Sequence, residues 1–226
     1  MSGTLLPRMP RAVVFDMDGL LLDTEELYRD AHKAASRDLG HVMDDAIHGT
    51  LIGMPREATE IRLQAAFGRD LDLVAYHRQF EVHFGRLCAQ GIPLRPGVTA
   101  LLDLLDELAL PRAIATSTER GLADRHLREA GILHRFDAVV TRSDVAQGKP
   151  HPETFLRAAA TLHVSATDCL ALEDSHNGVR AASAAGMMTV MIPNLLPATD
   201  EMRCLTVGIR ASLGDIVDEL CGPSFH

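Results

Sequence analysis

Five short apolar runs with a β-branched or aromatic bias recur along the chain: "RAVVFD", "RAIATS", "FDAVVT", "DCLALED" and "MMTVMIP". Amphipathic stretches separate the later ones, among them "TERGLADRHLREAG", which stops on Gly131, and "PETFLRAAATLH", which starts behind Pro152. Near-continuous apolar strands alternating with short helices predict a parallel sheet covered on both faces. The connections are then right-handed β-α-β crossovers.

The interval between the first and second runs breaks this rhythm. From Thr24 to about Arg95 no strand pattern occurs. Three helical pieces fill it instead, "TEELYRDAHKAASRDLG", "PREATEIRLQAAFG" and "LDLVAYHRQFEVHFGRLCAQG", with Gly40, Gly68 and Gly91 as their stops. The segment "LRPGVTALLDLLDELAL" then returns the chain through a Pro-Gly turn to a helix of the main body. The predicted fold is α/β: a Rossmann-like three-layer core with a parallel sheet, built from residues 1–22 and 96–226, plus an inserted α-helical cap domain over residues 23–95.

Composition narrows the function. At 226 residues, 46% hydrophobic and 23% charged, the balance is that of a globular protein with a sizeable core. Twenty-two basic residues against 31 acidic ones leave a net charge of −9, which argues against a basic surface for nucleic acid. No apolar run approaches the roughly 18 residues of a membrane span, and the N-terminus lacks an apolar signal region. A cytoplasmic monomer is expected. Cys88, Cys169, Cys204 and Cys221 are widely spaced and form no C-x-x-C pair, so they are expected to be reduced. The eleven histidines contain no H-E-x-x-H pattern.

In open α/β sheets, ligands bind beyond the carboxyl ends of the strands. Here those ends carry Asp16-Met17-Asp18-Gly19, Thr116-Ser117 and Glu173-Asp174-Ser175, with Lys149 in the loop "AQGKPHP" after the third run. Taken singly, such residues are helix caps or solvated charges. Together they bring carboxylates, a hydroxyl and an ammonium to one rim. Asp16 and Asp18, one residue apart, repel unless a cation lies between them or one holds a proton. A phosphate monoester held by Mg²⁺ answers both needs. A hard divalent cation asks for oxygen ligands, which Asp16 and Asp174 offer from neighbouring strands. Thr116, helix N-terminal N–H groups and Lys149 suit the remaining phosphate oxygens. Gly19 permits the sharp turn immediately behind the carboxylates. No G-x-G-x-x-G follows a strand, Gly148-Lys149 is followed by Pro150 rather than Ser or Thr, and no G-x-S-x-G is present.

The order "DMDGLLLDTE", "ATST", "GKPHPETF" and "ALEDSHNGVRAASAAGM" resembles the haloacid dehalogenase superfamily of phosphotransferases, in the branch with a helical cap between the first and second motifs. That branch includes beta-phosphoglucomutase, deoxyhexose-phosphate phosphatases and pseudouridine 5'-phosphatase. The resemblance implies Asp16 as the nucleophile that becomes an aspartyl phosphate. It implies Asp18 as general acid and base, with its backbone carbonyl and Asp174 as further Mg²⁺ ligands and Glu173 in support. Thr116, the Ser117 N–H and Lys149 would grip the phosphoryl group.

The expected activity is Mg-dependent hydrolysis of a small phosphorylated metabolite, a sugar or nucleoside phosphate. The alternatives are a beta-phosphoglucomutase-like mutase and, from another class, a non-catalytic binding or scaffold protein on the same fold. In the cap, Gly53 and Arg56 in "LIGMPREATE" resemble a substrate-facing loop, while Thr24, Glu25 and Tyr28 lie near the hinge, facing the leaving group or packing. Tyr28 stands where the mutase resemblance calls for His, which favours hydrolysis.

Overall fold

The computed structural model describes residues 6–52, 54 and 56–222, with Arg56 described by its backbone alone. The chain divides into two compact units, one of residues 1–23 and 93–226, the other of residues 24–92.

The first unit is the α/β core. Its strands are β1 (Ala12–Phe15), β2 (Arg112–Ala115), β3 (Ala138–Val140), β4 (Cys169–Glu173), β5 (Met188–Met191) and β6 (Gly208–Ile209). They form one sheet in the order β3-β2-β1-β4-β5-β6, and every pairing is parallel. All residues of β1, β2, β4 and β5 are buried, as helices on both faces require. On one face Ala12, Val14, Ala113, Ala115 and Ala171 meet Phe155, Ala158, Ala181 and Ala182. The alanines let two helices approach the sheet closely. Cys169 belongs to this cluster, a packed core residue as its apolar context predicts.

The register delivers the site. Phe15 pairs with Ile114 on one side and with Leu172 on the other, so Asp16, one residue further, lies at the level of Glu173. The Asp16 N–H donates to Leu172 O at 3.0 Å and the Thr116 N–H to Val140 O at 2.9 Å, so the ladder runs up to the candidate site residues. Behind Asp16 the chain folds into a tight turn. Gly19 N–H donates to Leu22 O at 3.1 Å and Leu21 N–H to Met17 O at 3.0 Å, with Leu20, Leu21 and Leu22 buried. The leucines after the charged motif are therefore core residues. At the end of this turn Leu22 bridges Leu94, Asp23 N–H donates to Pro93 O at 2.8 Å, and Arg95 is 3.4 Å from the Asp23 carboxylate.

The helical unit contains α1 (Glu25–Asp38), α2 (Asp45–Gly49), α3 (Arg56–Phe67) and α4 (Leu73–Cys88). α1 packs chiefly on α4. Gly40, Gly68 and Gly91 all take positive φ, the left-handed conformation expected of helix-terminating glycines. The sequence reading omits α2, which spans only five residues and is capped by Asp44 accepting from Ile47 N–H at 2.8 Å.

The remaining core helices are α5 (Val98–Glu107), α6 (Arg120–Glu129), α7 (Glu153–Thr161), α8 (His176–Ala184), α9 (Asp200–Leu205) and α10 (Leu213–Leu220). β6, α9 and α10 go beyond the five strands read from the sequence. Two residues of strand are too few to show a period. α9 and α10 carry Thr199 and Ser212 at their N-caps, signals present in the sequence but followed by helices of only 6 and 8 residues, too short to show a helical period. Among the described residues, no helix is long and apolar enough to cross a membrane.

Candidate active site

Lys149 is the centre of the cluster at the carboxyl ends of β1, β2 and β4. Its ammonium donates to Asp16 Oδ1 at 2.5 Å and to Glu173 Oε1 at 2.6 Å, and it lies 4.9 Å from the centre of the Phe155 ring. Its side chain is 4% exposed, that of Asp16 10% and that of Glu173 fully buried, so the Coulomb attraction is little screened. Burial acts to lower the Lys149 pKa, but the two carboxylates outweigh it and hold the ammonium above its ordinary range. Burial pushes Asp16 well above the usual carboxylate range against the pull of Lys149, and Glu173 and Asp174 push it further. Asp174 is pushed up to about 7, by burial first and by Glu173 next.

One ammonium among three carboxylates leaves a deficit of positive charge. Asp16, Glu173 and Asp174 each offer an oxygen within 4.8 Å of the others, and burial first, then their mutual repulsion, raises Asp16 and Asp174, both costs that a divalent cation would offset. An all-oxygen donor set of this charge fits a hard cation. Gly19 makes the cluster possible, because its φ is +84° and a Cβ there would run into Asp174 Oδ2.

Glu173 is braced from its other side. Ser175 donates to Oε2 through its N–H at 2.7 Å and its hydroxyl at 2.9 Å, and the same hydroxyl accepts from Gly178 N–H at 3.1 Å. A Cβ on Gly178 would overlap the Glu173 carboxylate, so the first turn of α8 must be bare at that position.

This order of motifs on this sheet decides the family. A family model for haloacid dehalogenase-like hydrolases matches residues 10–186. The chain is a haloacid dehalogenase-like hydrolase. YhcW of Bacillus subtilis (strain 168), assigned as a phosphatase, is 33% identical over 192 residues, which cover 84% of this chain and 87% of that one. The phosphorylated carbohydrates phosphatase of Thermotoga maritima is 33% identical over 177 residues, 78% of this chain and 82% of its own. A Thermotoga maritima crystal structure assigned as a beta-phosphoglucomutase superposes with a TM-score of 0.83 at 29% identity, covering 92% of this chain and 97% of that one. The protein is thus an enzyme, a phosphoric monoester hydrolase with an inserted helical cap.

The remaining site residues of this hydrolase fall into two groups. Asp18 sits on the turn after β1, where Oδ2 accepts from the Thr118 hydroxyl at 2.7 Å. Burial raises its pKa, opposed by that hydrogen bond and by the charges of His126 and Lys149. Thr116 is buried at the end of β2, and Ser117 is exposed on the turn that follows. Thr24, Glu25 and Tyr28 belong to the helical unit. Thr24 precedes α1 and is buried, and Glu25 opens the helix. The Tyr28 ring packs within that unit, 4.4 Å from the centroid of Phe84 and 5.7 Å from that of Phe80, while the residue stays 38% exposed. Gly53 and the Arg56 side chain lie outside the described residues. Ser175 is marked in the sequence only as part of the strand end Glu173-Asp174-Ser175, and Thr118 and Gly178 are not marked at all. Their only signals are a second threonine in "TST" and an early helical glycine in "EDSHNG".

Proposed function

We propose that this hydrolase releases phosphate from small phosphorylated metabolites, sugar or nucleoside phosphates, by transient transfer of the phosphoryl group to Asp16. The observation that carries the reading is the grouping of buried Asp16 and Glu173 and half-buried Asp174 near Lys149 at the carboxyl ends of the strands. Asp16, Asp174 and the Asp18 carbonyl would hold a magnesium ion, with Glu173 in support. Such an ion, when bound, neutralises charge on the transferring oxygens and keeps the carboxylates ionised.

Asp16 attacks phosphorus, forming an acyl phosphate while the bond to the alcohol oxygen breaks. Asp18 gives its proton to the departing alkoxide. Then, as a carboxylate, it takes one from the water that opens the acyl phosphate, so inorganic phosphate and free Asp16 are recovered. Lys149, the Thr116 hydroxyl and the Ser117 N–H offset charge on the three equatorial oxygens. Thr116 is suited to this, because its oxygen already accepts the Thr118 N–H at 3.0 Å and its own proton remains to be donated.

The phosphatases among the relatives, one named for phosphorylated carbohydrates, support sugar phosphates as the substrate class. A mutase reading draws on the structural likeness to the Thermotoga maritima protein. One assay separates the two: beta-glucose 1-phosphate with a trace of the 1,6-bisphosphate, following free phosphate and glucose 6-phosphate together. Free phosphate is expected to lead. Glucose 6-phosphate forming much faster would establish the mutase instead. A panel of sugar and nucleoside phosphates assayed with magnesium then ranks substrates, and no release from any member would overturn the phosphatase reading.

A further inference from the structure

The sequence marks Thr116 and Ser117 in "ATST"; the structure draws the next residue into the same cluster. The Thr118 hydroxyl donates to Asp18 Oδ2 at 2.7 Å across 100 residues of chain. Among the described residues, no other side chain is hydrogen-bonded to that carboxylate. The backbone of Thr118 is pinned at both ends, its N–H donating to Thr116 Oγ1 at 3.0 Å and its carbonyl accepting from Arg142 N–H, beyond β3, at 3.1 Å. The ends of β2 and β3 therefore determine where this hydroxyl stands.

Asp18 needs such a partner. It lies on a tight turn ahead of a glycine at positive φ, and the terminal torsion of an aspartate is broad, so its own rotamer leaves the carboxylate plane loosely defined. Proton delivery to a leaving oxygen demands alignment. One donor fixed to Oδ2 orients the plane and leaves the other oxygen for the reacting group. Threonine suits the task better than serine, because its branched Cβ restricts χ1.

We propose that Thr118 is a positioning residue for the reaction, setting the orientation in which Asp18 exchanges its proton with the leaving oxygen. The same two-residue turn also gives Thr116 Oγ1 a donor, so the phosphate grip and the proton donor are set by one piece of backbone. This inference rests on the role of Asp18 proposed above.

The test compares Thr118→Val, nearly isosteric but without the hydroxyl, with Thr118→Ser, on two substrates: the best sugar phosphate of the panel and p-nitrophenyl phosphate, whose leaving group needs little protonation. Loss of a hydrogen bond to an ionisable group predicts kcat on the sugar phosphate lower by about tenfold or more in Thr118→Val. KM should change little, the loss on the aryl ester should be clearly smaller, and Thr118→Ser should stay near wild type. If the valine variant does not fold, Thr118→Ala against Thr118→Ser gives the same comparison. Equal losses on both substrates, no loss, or a serine variant as impaired as one lacking the hydroxyl would overturn the proposal. Asp18→Asn run alongside on the same two substrates keeps the two readings apart. Equal losses on both esters in it refute the role of Asp18, whereas an Asp18→Asn that loses far more on the sugar phosphate, beside an unimpaired Thr118→Val, refutes only the role of Thr118.

Discussion

Asp16 and Asp18 are separated in sequence only by Met17 and stand in very different company. Asp16 is gripped by the Lys149 ammonium, whereas Asp18 is held by a neutral hydroxyl. Their substitutions should separate accordingly. Asp16→Asn keeps the shape and loses the nucleophile, so turnover should fall below detection on every ester. Asp18→Asn should lose most on alkyl phosphates and distinctly less on p-nitrophenyl phosphate. Equal losses under single-turnover conditions would contradict that division.

Gly178 yields a prediction of unusual sign. Replacing a helical glycine by alanine normally stabilises by up to about 1 kcal/mol. Here the added methyl would displace Glu173 and strip Lys149 of one of its two carboxylates. Overpacking and a broken buried ion pair together are expected to cost about 3 kcal/mol. Thermal unfolding of Gly178→Ala should show Tm lower by roughly 5–10 °C, and an unchanged or higher Tm would refute the packing account.

At the scale of elements, the buried strands and the cap helices were legible for different reasons. β1, β2, β4 and β5 are covered on both faces and read as apolar runs, while α1 and α4 read by their period and their terminal glycines. β6 was not, because its neighbours and not its two residues make it a strand. Within the site, Asp16 and Asp174 announce themselves as charges at strand ends and Lys149 as a cation in the loop after β3. Thr118 does not, since only the fold of the turn distinguishes it from a surface threonine.

The cap holds a histidine cluster that makes its own stability depend on pH. His32 on α1 has Nδ1 2.8 Å from the Tyr76 hydroxyl of α4, its ring 4.3 Å from the centroid of Phe80, and His48 of α2 at 5.8 Å. Burial, then the neighbouring His48 and His77, pushes its pKa down to about 4. A histidine depressed in the folded state supplies stability that is present above its ordinary 6.5 and is lost as pH falls through about 4. Below that point the cap should be weakened by about 3 kcal/mol. Protection factors, taken relative to the intrinsic exchange rate at each pH, are expected to fall in α1 and α4 between pH 6.5 and pH 4 in the wild type and much less in His32→Gln. The same pH slope in both proteins would contradict this.

For the whole molecule, the central relation is between a net charge of −9 and a buried site that adds further negative charge in its substrate. Lys149 alone does not balance Asp16, Glu173 and Asp174. EDTA should therefore abolish turnover, and magnesium should raise the Tm of the wild type by mass action but not that of Asp174→Asn. Full activity in excess EDTA would remove the cation from the account.

The claim on which the rest depends is that Asp16 carries the phosphoryl group. The direct measurement is peptide mapping by mass spectrometry of enzyme quenched in acid during turnover of its best substrate. The mass of one phosphoryl group is expected on the peptide containing Asp16, appearing before steady state and absent from Asp16→Asn. A phosphoryl group on any other residue, or full turnover with none on that peptide, would contradict it.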